Sequence, residues 1–233
     1  MTRSSTTSRT PKNHILLHLP EQERKYLVDV ADRVVLPARS TVARPGDLIS
    51  STYFPDDGVL SIVSEMTTGH QVAVAAVGVE GVVGVGPLFG AVHHPDLIVV
   101  LLESEGYRVP TSEFRDLFER SEALRRTTLA HIGRRLSEVT IVAGCNRVHS
   151  HRRRLARWLL VITDRAGQQS LRVTHEMLAQ MVGGPRHAVT VALQGLRERG
   201  AIGHVRGRIQ IVNREALVAQ ACECYGHPRL TSP

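Results

Sequence analysis

The most restrictive stretch of this chain is THEMLAQMV at 174–182, followed by Gly183-Gly184, Pro185 and Arg186. Thr174 is an N-cap residue, and Glu176 falls in the first turn, beside the positive end of a helix. The glycine pair ends that helix, and Pro185 opens a second one running to about Arg199. Leu178, Ala179, Val182, Val189 and Ala192 then wedge the two short helices together, with a small residue where they cross. Next come IGHV at 202–205, Arg206-Gly207, and RIQIV at 208–212, two short strands around a tight turn. A helix-turn-helix closed by a hairpin is a winged helix, a form built to enter a DNA groove.

Charge points the same way. Residues 145–233 hold 14 Arg, no Lys and five acids, whereas residues 1–144 hold 15 Lys+Arg against 17 Asp+Glu. The whole basic excess of the chain, +7 at pH 7, therefore belongs to its last 89 residues. Such asymmetry marks the part that meets a polyanion.

Upstream, the sequence reads as short aliphatic runs at 33–36, 49–54, 59–63, 71–77 and 97–102. Turns at Pro45-Gly46-Asp47, Asp56-Asp57-Gly58 and Thr68-Gly69 punctuate them. Closely spaced short strands predict a β-sandwich or a β-roll (a jelly-roll-like double-stranded β-helix), preceded by a helix over 20–31 that starts at Pro20. The least charged stretch, 71–92, is broken by five glycines and Pro87, so no membrane-spanning helix is expected. Three cysteines cannot frame a disulfide-stapled domain, which fits a reducing, cytoplasmic setting. Residues 1–13, rich in Ser, Thr and Arg, read as a disordered tail.

After Pro110 the pattern turns helical. Thr111 is expected to cap a short helix through Phe118, and a longer helix runs from Glu122 to about Gly144. On it Leu129, Ile132, Leu136, Val139 and Ala143 follow the 3-4-3-4 spacing of a coiled-coil seam, pointing to a homodimer. A further helix at 150–164 places Leu155, Trp158, Leu159 and Ile162 on one face and Arg152, Arg153 and Arg157 largely off it.

RLARWLL at 154–160, the stretch 174–196 and Gly207-Arg-Ile209 together resemble the Crp/Fnr family of transcription regulators. A weaker match follows through VGVEG at 77–81, Gly84, Leu88-Phe89-Gly90 and 107–118. The resemblance implies an α+β chain with a β-roll sensor over 14–120 and a dimerisation helix over 121–145. A winged helix-turn-helix over 146–225 and a short tail over 226–233 complete it. It further implies a homodimer on double-stranded DNA, with its second helices in successive major grooves of a near-palindromic operator, about 34–36 Å apart. RNA polymerase becomes a partner if the protein activates transcription.

Leu193 and Leu196 turn inward, which leaves Arg186, His187, Thr190 and Gln194 facing a groove. Arg186 matches the family's first base-reading arginine, suited to guanine. His187 stands where many members carry glutamate, and Val191 where some carry a second arginine. Arg152, Thr174, Arg206 and Arg208 are placed for phosphates.

The sensor departs from the cyclic-nucleotide members. Their Gly-Glu pair is reversed here as Glu80-Gly81, and His93-His94-Pro95 replaces the phosphate-holding Arg-Ser pair. No Lys or Arg occurs between Pro45 and Tyr107, against eight acids, which argues against cyclic AMP. Arg125 and Arg126 on the long helix are the nearest substitutes for that clamp. With no cysteine before Cys145, an iron–sulfur cluster is disfavoured. Cys222 and Cys224 with His227 are spaced unlike a zinc pair and read as a chance cluster in a loose tail, and His93-His94 as solvated, so no metal is expected.

No catalytic constellation appears. The competing readings are a cupin-type metal-binding or enzymatic β-roll with a basic interaction domain, and a membrane-surface or RNA-binding protein. The first needs several histidines on neighbouring strands, whereas His70, His93 and His94 fall in turns. Single-stranded RNA would call for stacking aromatics, and residues 145–233 offer only Trp158 and Tyr225.

Overall fold

Asn13 ties down the start of the fold. In the computed structural model, which describes residues 10–205 and 207–227, its side chain accepts from the Ile15 and Leu16 N–H groups and caps helix α1 (His14–Leu17). The same side chain donates to the Pro55 carbonyl at 2.9 Å and the Gly81 carbonyl at 2.8 Å. The tail expected over 1–13 is thus anchored at its end; residues 1–9 lie outside the described residues.

Helix α2 (Glu21–Val30) leads into a roll of seven strands: β1 (Asp32–Leu36), β2 (Thr41–Ala43), β3 (Ser51–Pro55), β4 (Val59–Glu65), β5 (Gln71–Val77), β6 (Leu97–Leu102) and β7 (Ser104–Pro110). They form two antiparallel sheets, ordered β1-β7-β3 and β2-β6-β4-β5. Strands β4 to β6 are near-continuous aliphatic runs because both their faces are covered. Leu60, Ile62, Ala75 and Ile98 fill the roll, while Val63, Ala73, Leu97 and Leu101 pack outward against the carboxy-terminal half of the chain.

Helix α3 (Thr111–Arg120) starts one residue earlier than a Thr111 cap requires. Pro110 occupies the N-cap position, and the Thr111 hydroxyl donates instead to the Ile49 carbonyl. Pro20 likewise stands just before α2 rather than at its first position. The long helix α4 (Glu122–Val148), capped by Ser121, carries two stripes. Leu124, Thr128, His131, Glu138, Val142 and Cys145 are buried within the chain. The expected seam lies beside them: Leu129 and Leu136 are exposed, Leu136 by 68%, whereas Ile132 and Val139 are half-covered by the roll.

Helix α5 (His151–Ala166), strand β8 (Ser170–Leu171), helices α6 (His175–Val182) and α7 (Arg186–Glu198), strands β9 (Ile202–Val205) and β10 (Arg208–Ile211) and helix α8 (Arg214–Gln220) complete the chain. The hairpin β9–β10 gains β8 as a third strand, order β8-β10-β9. Leu155, Trp158, Leu159 and Ile162 are fully buried, as the helical spacing required. The arginine run behaves differently from a solvated face. Arg157 is only 1% exposed, its guanidinium 4.4 Å from the Trp158 ring centroid, and Arg154 is buried with Nη1 bonded to Asn146. Stacking on an indole lets a weakly hydrated guanidinium enter a core that a lysine would not.

Candidate nucleic-acid interface and sensor pocket

The helix-turn-helix is set by three local devices. The Thr174 hydroxyl accepts from the Met177 N–H at 3.2 Å, which starts α6 and leaves the hydroxyl proton free to donate outward. Gly183 ends α6 at φ +57, in the left-handed region that favours glycine. Val189, Ala192, Leu193 and Leu196 then bury one face of α7.

The opposite face is open. Arg186, His187, Thr190, Val191 and Gln194 are all exposed. Arg186 Nε lies 3.6 Å from a Glu176 carboxylate oxygen, with both side chains well solvated, so this pair holds the guanidinium loosely. Thr190 donates to the Arg186 carbonyl and meets His175 Nδ1, each at 3.3 Å, and Gln194 donates to Glu198 at 2.9 Å. These are weak surface bonds, readily exchanged for base edges or phosphates.

A broad groove beside α7 joins its exposed face to the start of α5, lined among others by His151, Arg152, His187, Val191, Gln194 and Arg199. Arg152 is half-buried, its side chain running along Gly195. It is therefore more constrained than a free surface arginine. Arg208 is exposed on the wing strand; Arg206 lies outside the described residues. Of the expected phosphate contacts, Arg152 thus borders the face that carries the expected base readers.

The roll holds a separate cavity of about 280 Å³ between β-strands and α4, lined by Ile62, Val85, Phe89, His94, Asp96, Ile98, Arg135 and Leu136 among others. His94 and Pro95 reach this cavity. His94 is buried, not solvated, and burial pushes its pKa down. A permanent cation does enter, but it is Arg135. Arg125 is instead occupied by the Phe118 and Glu119 carbonyls, and Arg126 is exposed. Arg135 shares the cavity with Asp96, whose carboxyl burial raises and Arg135 draws back down.

Glu80, the residue of the reversed pair, faces away from that cavity. It joins Arg165 of α5 at 3.1 Å, and Arg165 also meets the buried Glu138 of α4 at 2.9 Å. Next to it, Gly81 is required by contact: a Cβ there would fall 2.2 Å from the His131 ring. His131 Nε2 accepts from the Val82 N–H, and burial holds its pKa down to about 4. Nothing in the sequence pattern disclosed Arg135, Arg165 and Glu138, since each sits in an otherwise ordinary helical charge pattern.

Residues 221–227 are not loose. Tyr225 donates to Asp164 at 2.7 Å and receives a bond from Arg214, and Cys222 is buried. Cys145, His149, Cys222 and Cys224 converge, with their ligand atoms all within 4.8 Å of one another. His227 is not among the four. The i, i+4 spacing of Cys145 and His149, one face of a helix end, was the overlooked signal.

Comparison with known proteins matches the Crp-like helix-turn-helix domain to residues 153–220 and the Cyclic nucleotide-binding domain to residues 33–121. No curated protein matches the chain. Among solved structures, it is similar to the c-di-GMP responsive global regulator CLP of Xanthomonas campestris at 19% identity. That alignment covers 83% of this chain and 100% of the other, with a TM-score of 0.69. FixK2 from Bradyrhizobium japonicum aligns at 16% identity over 83% of this chain and 98% of its own, with a TM-score of 0.71. A crp/fnr-family regulator from Eubacterium rectale aligns at 18% identity over 89% and 97%, with a TM-score of 0.68. Among the described residues no helix is long and apolar enough to cross a membrane.

Proposed function

The chain is a DNA-binding transcription regulator of the Crp/Fnr type, and we propose that it works as a cytoplasmic homodimer paired through α4. The observation that carries this reading is the division of α4 into two stripes. One is consumed inside the chain, while the other leaves Leu129 and Leu136 uncovered beside the half-covered Ile132 and Val139. Two copies joined along that stripe set their α7 helices into successive major grooves of a near-palindromic operator. Arg186, His187, Thr190 and Gln194 then meet base edges, and Arg152, Thr174, Arg206 and Arg208 meet phosphates. The protein has no catalytic role, and RNA polymerase is its further partner where it activates.

The signal enters at the cavity between roll and α4, and it is not a cyclic nucleotide. A phosphodiester there would meet Asp96 as well as Arg135, so the one cation is already opposed by a carboxylate. The exposed seam residue Leu136 lines this same cavity, so an occupant bears directly on the dimer contact. Recovery of genomic DNA fragments bound to the full-length protein tests the reading. A shared inverted repeat supports it; recovery without any common sequence refutes it.

A further inference from the structure

We infer that Cys145, His149, Cys222 and Cys224 form a structural zinc site that fastens the end of the chain to the joint between α4 and the DNA-binding domain. The four come from two places far apart in sequence. Cys145 and His149 lie one turn apart at the end of α4, and the His149 N–H still donates to the Cys145 carbonyl. Cys222 and Cys224 follow α8. The backbone of the last turn and the Tyr225–Asp164–Arg214 bonds therefore fix both halves independently of any ion.

The geometry suits one tetrahedral ion. With Zn–S near 2.3 Å and Zn–N near 2.05 Å, tetrahedral ligands stand about 3.8 Å apart for two sulfurs and about 3.6 Å for sulfur and nitrogen. Here Cys145 Sγ and Cys222 Sγ are 3.5 Å apart, and Cys224 Sγ lies 3.8 Å from His149 Nδ1. A cluster of several irons would spread its thiolates over different metal atoms and so further apart. Three sulfurs with one imidazole and no open carboxylate select zinc among the common divalent ions, and a closed set of four is the structural kind.

Two neighbours complete the arrangement. Nδ1 of His149 faces the thiols, while Nε2 meets a Glu223 carboxylate oxygen at 2.9 Å. A carboxylate on the far ring nitrogen is the partner that fixes the tautomer and orientation of a metal-binding histidine. Arg157 is the second. It is buried, acts electrostatically on all three thiols, and its Nε and Nη2 have no hydrogen-bond partner among the described residues. Three thiolates and a neutral imidazole around zinc carry a net charge of about −1, which offsets that enclosed cation.

The test uses full-length protein expressed with zinc supplied and purified under reducing conditions without chelator. Elemental analysis is expected to give one zinc per chain, lost in Cys224→Ser and in His149→Ala, retained in His227→Ala, and restored in His149→Cys. Circular dichroism shows whether each variant is folded. Cobalt replacing zinc in the unaltered protein is expected to give the intense visible bands of a tetrahedral ion with thiolate charge transfer, a readout that does not depend on any variant folding. Metal-free protein with three reactive thiols, a Cys145–Cys222 disulfide in its place, bound iron with sulfide, or zinc that follows His227 would each overturn the assignment.

Discussion

Replacing Arg165 with Met should uncouple the roll from the DNA-binding domain at a measurable cost. The guanidinium bridges Glu80 of the roll and Glu138 of α4 at 3.1 and 2.9 Å, and also donates to the Ala76 carbonyl. The two carboxylates are not equivalent: the Glu138 side chain is 5% exposed and that of Glu80 28%. Stripping the partner from a buried charge costs about 3–5 kcal/mol, whereas a half-solvated pair contributes about 1 kcal/mol or less. Glu138 therefore dominates, and Arg165→Met should lower stability by about 3 kcal/mol. Adding Glu138→Gln removes the stranded charge and should recover roughly 2 kcal/mol, a coupling a double-mutant cycle reads directly. Urea unfolding followed through Trp158, the one tryptophan and a fully buried one, is the assay. A loss below about 1 kcal/mol, or additive single and double variants, would refute the view that this triad is a buried joint.

Three further outcomes are expected. Leu136→Asp places a charge on the seam of each copy and should weaken the dimer more than a hundredfold, from about 3–5 kcal/mol; sedimentation with an unchanged dimer would exclude α4 as the interface. His131 is neutral and enclosed with a folded pKa of about 4 against an ordinary 6.5, so its contribution is intact above pH 6.5 and lost as pH falls toward 4. Between pH 7 and pH 5 this amounts to about 2 kcal/mol, which should be missing from the pH dependence of His131→Gln. Calorimetry with cyclic AMP or cyclic GMP should show no micromolar binding; saturable binding abolished by Arg135→Ala would reverse the reading of the sensor.

Much of the architecture was legible because its signals are local. The cap at Thr174, the left-handed Gly183 and the inward Val189, Ala192 and Leu196 are properties of neighbouring residues, and the strands at Gln71–Val77 and Leu97–Leu102 are uninterrupted aliphatic runs. Strand β7 was not legible: SEGYRVP mixes charge, glycine and proline, and it is a strand because β1 and β3 pair with both its edges. The burial of Arg157 was not legible, because a charge run on a helix gives no hint that an adjacent indole will accept the guanidinium. Cys145 and Cys222 are 77 residues apart, so only the fold could show that the cysteines of the tail meet the end of α4. Arg135 likewise enters the sensor cavity from α4, outside the span from Pro45 to Tyr107 that holds no Lys or Arg.

The affinity of the unaltered protein, Arg186→Ala and Arg152→Ala across single-base variants of the operator tests the central claim most directly. Loss of Arg186 should cost about 1–3 kcal/mol, with discrimination relaxed at one base position in each half-site. Loss of Arg152 should weaken every duplex alike and flatten the salt dependence by roughly one unit of log–log slope per phosphate contact in each bound subunit. Identical, sequence-independent losses in both variants would contradict the assignment of α7 as the element that reads the DNA.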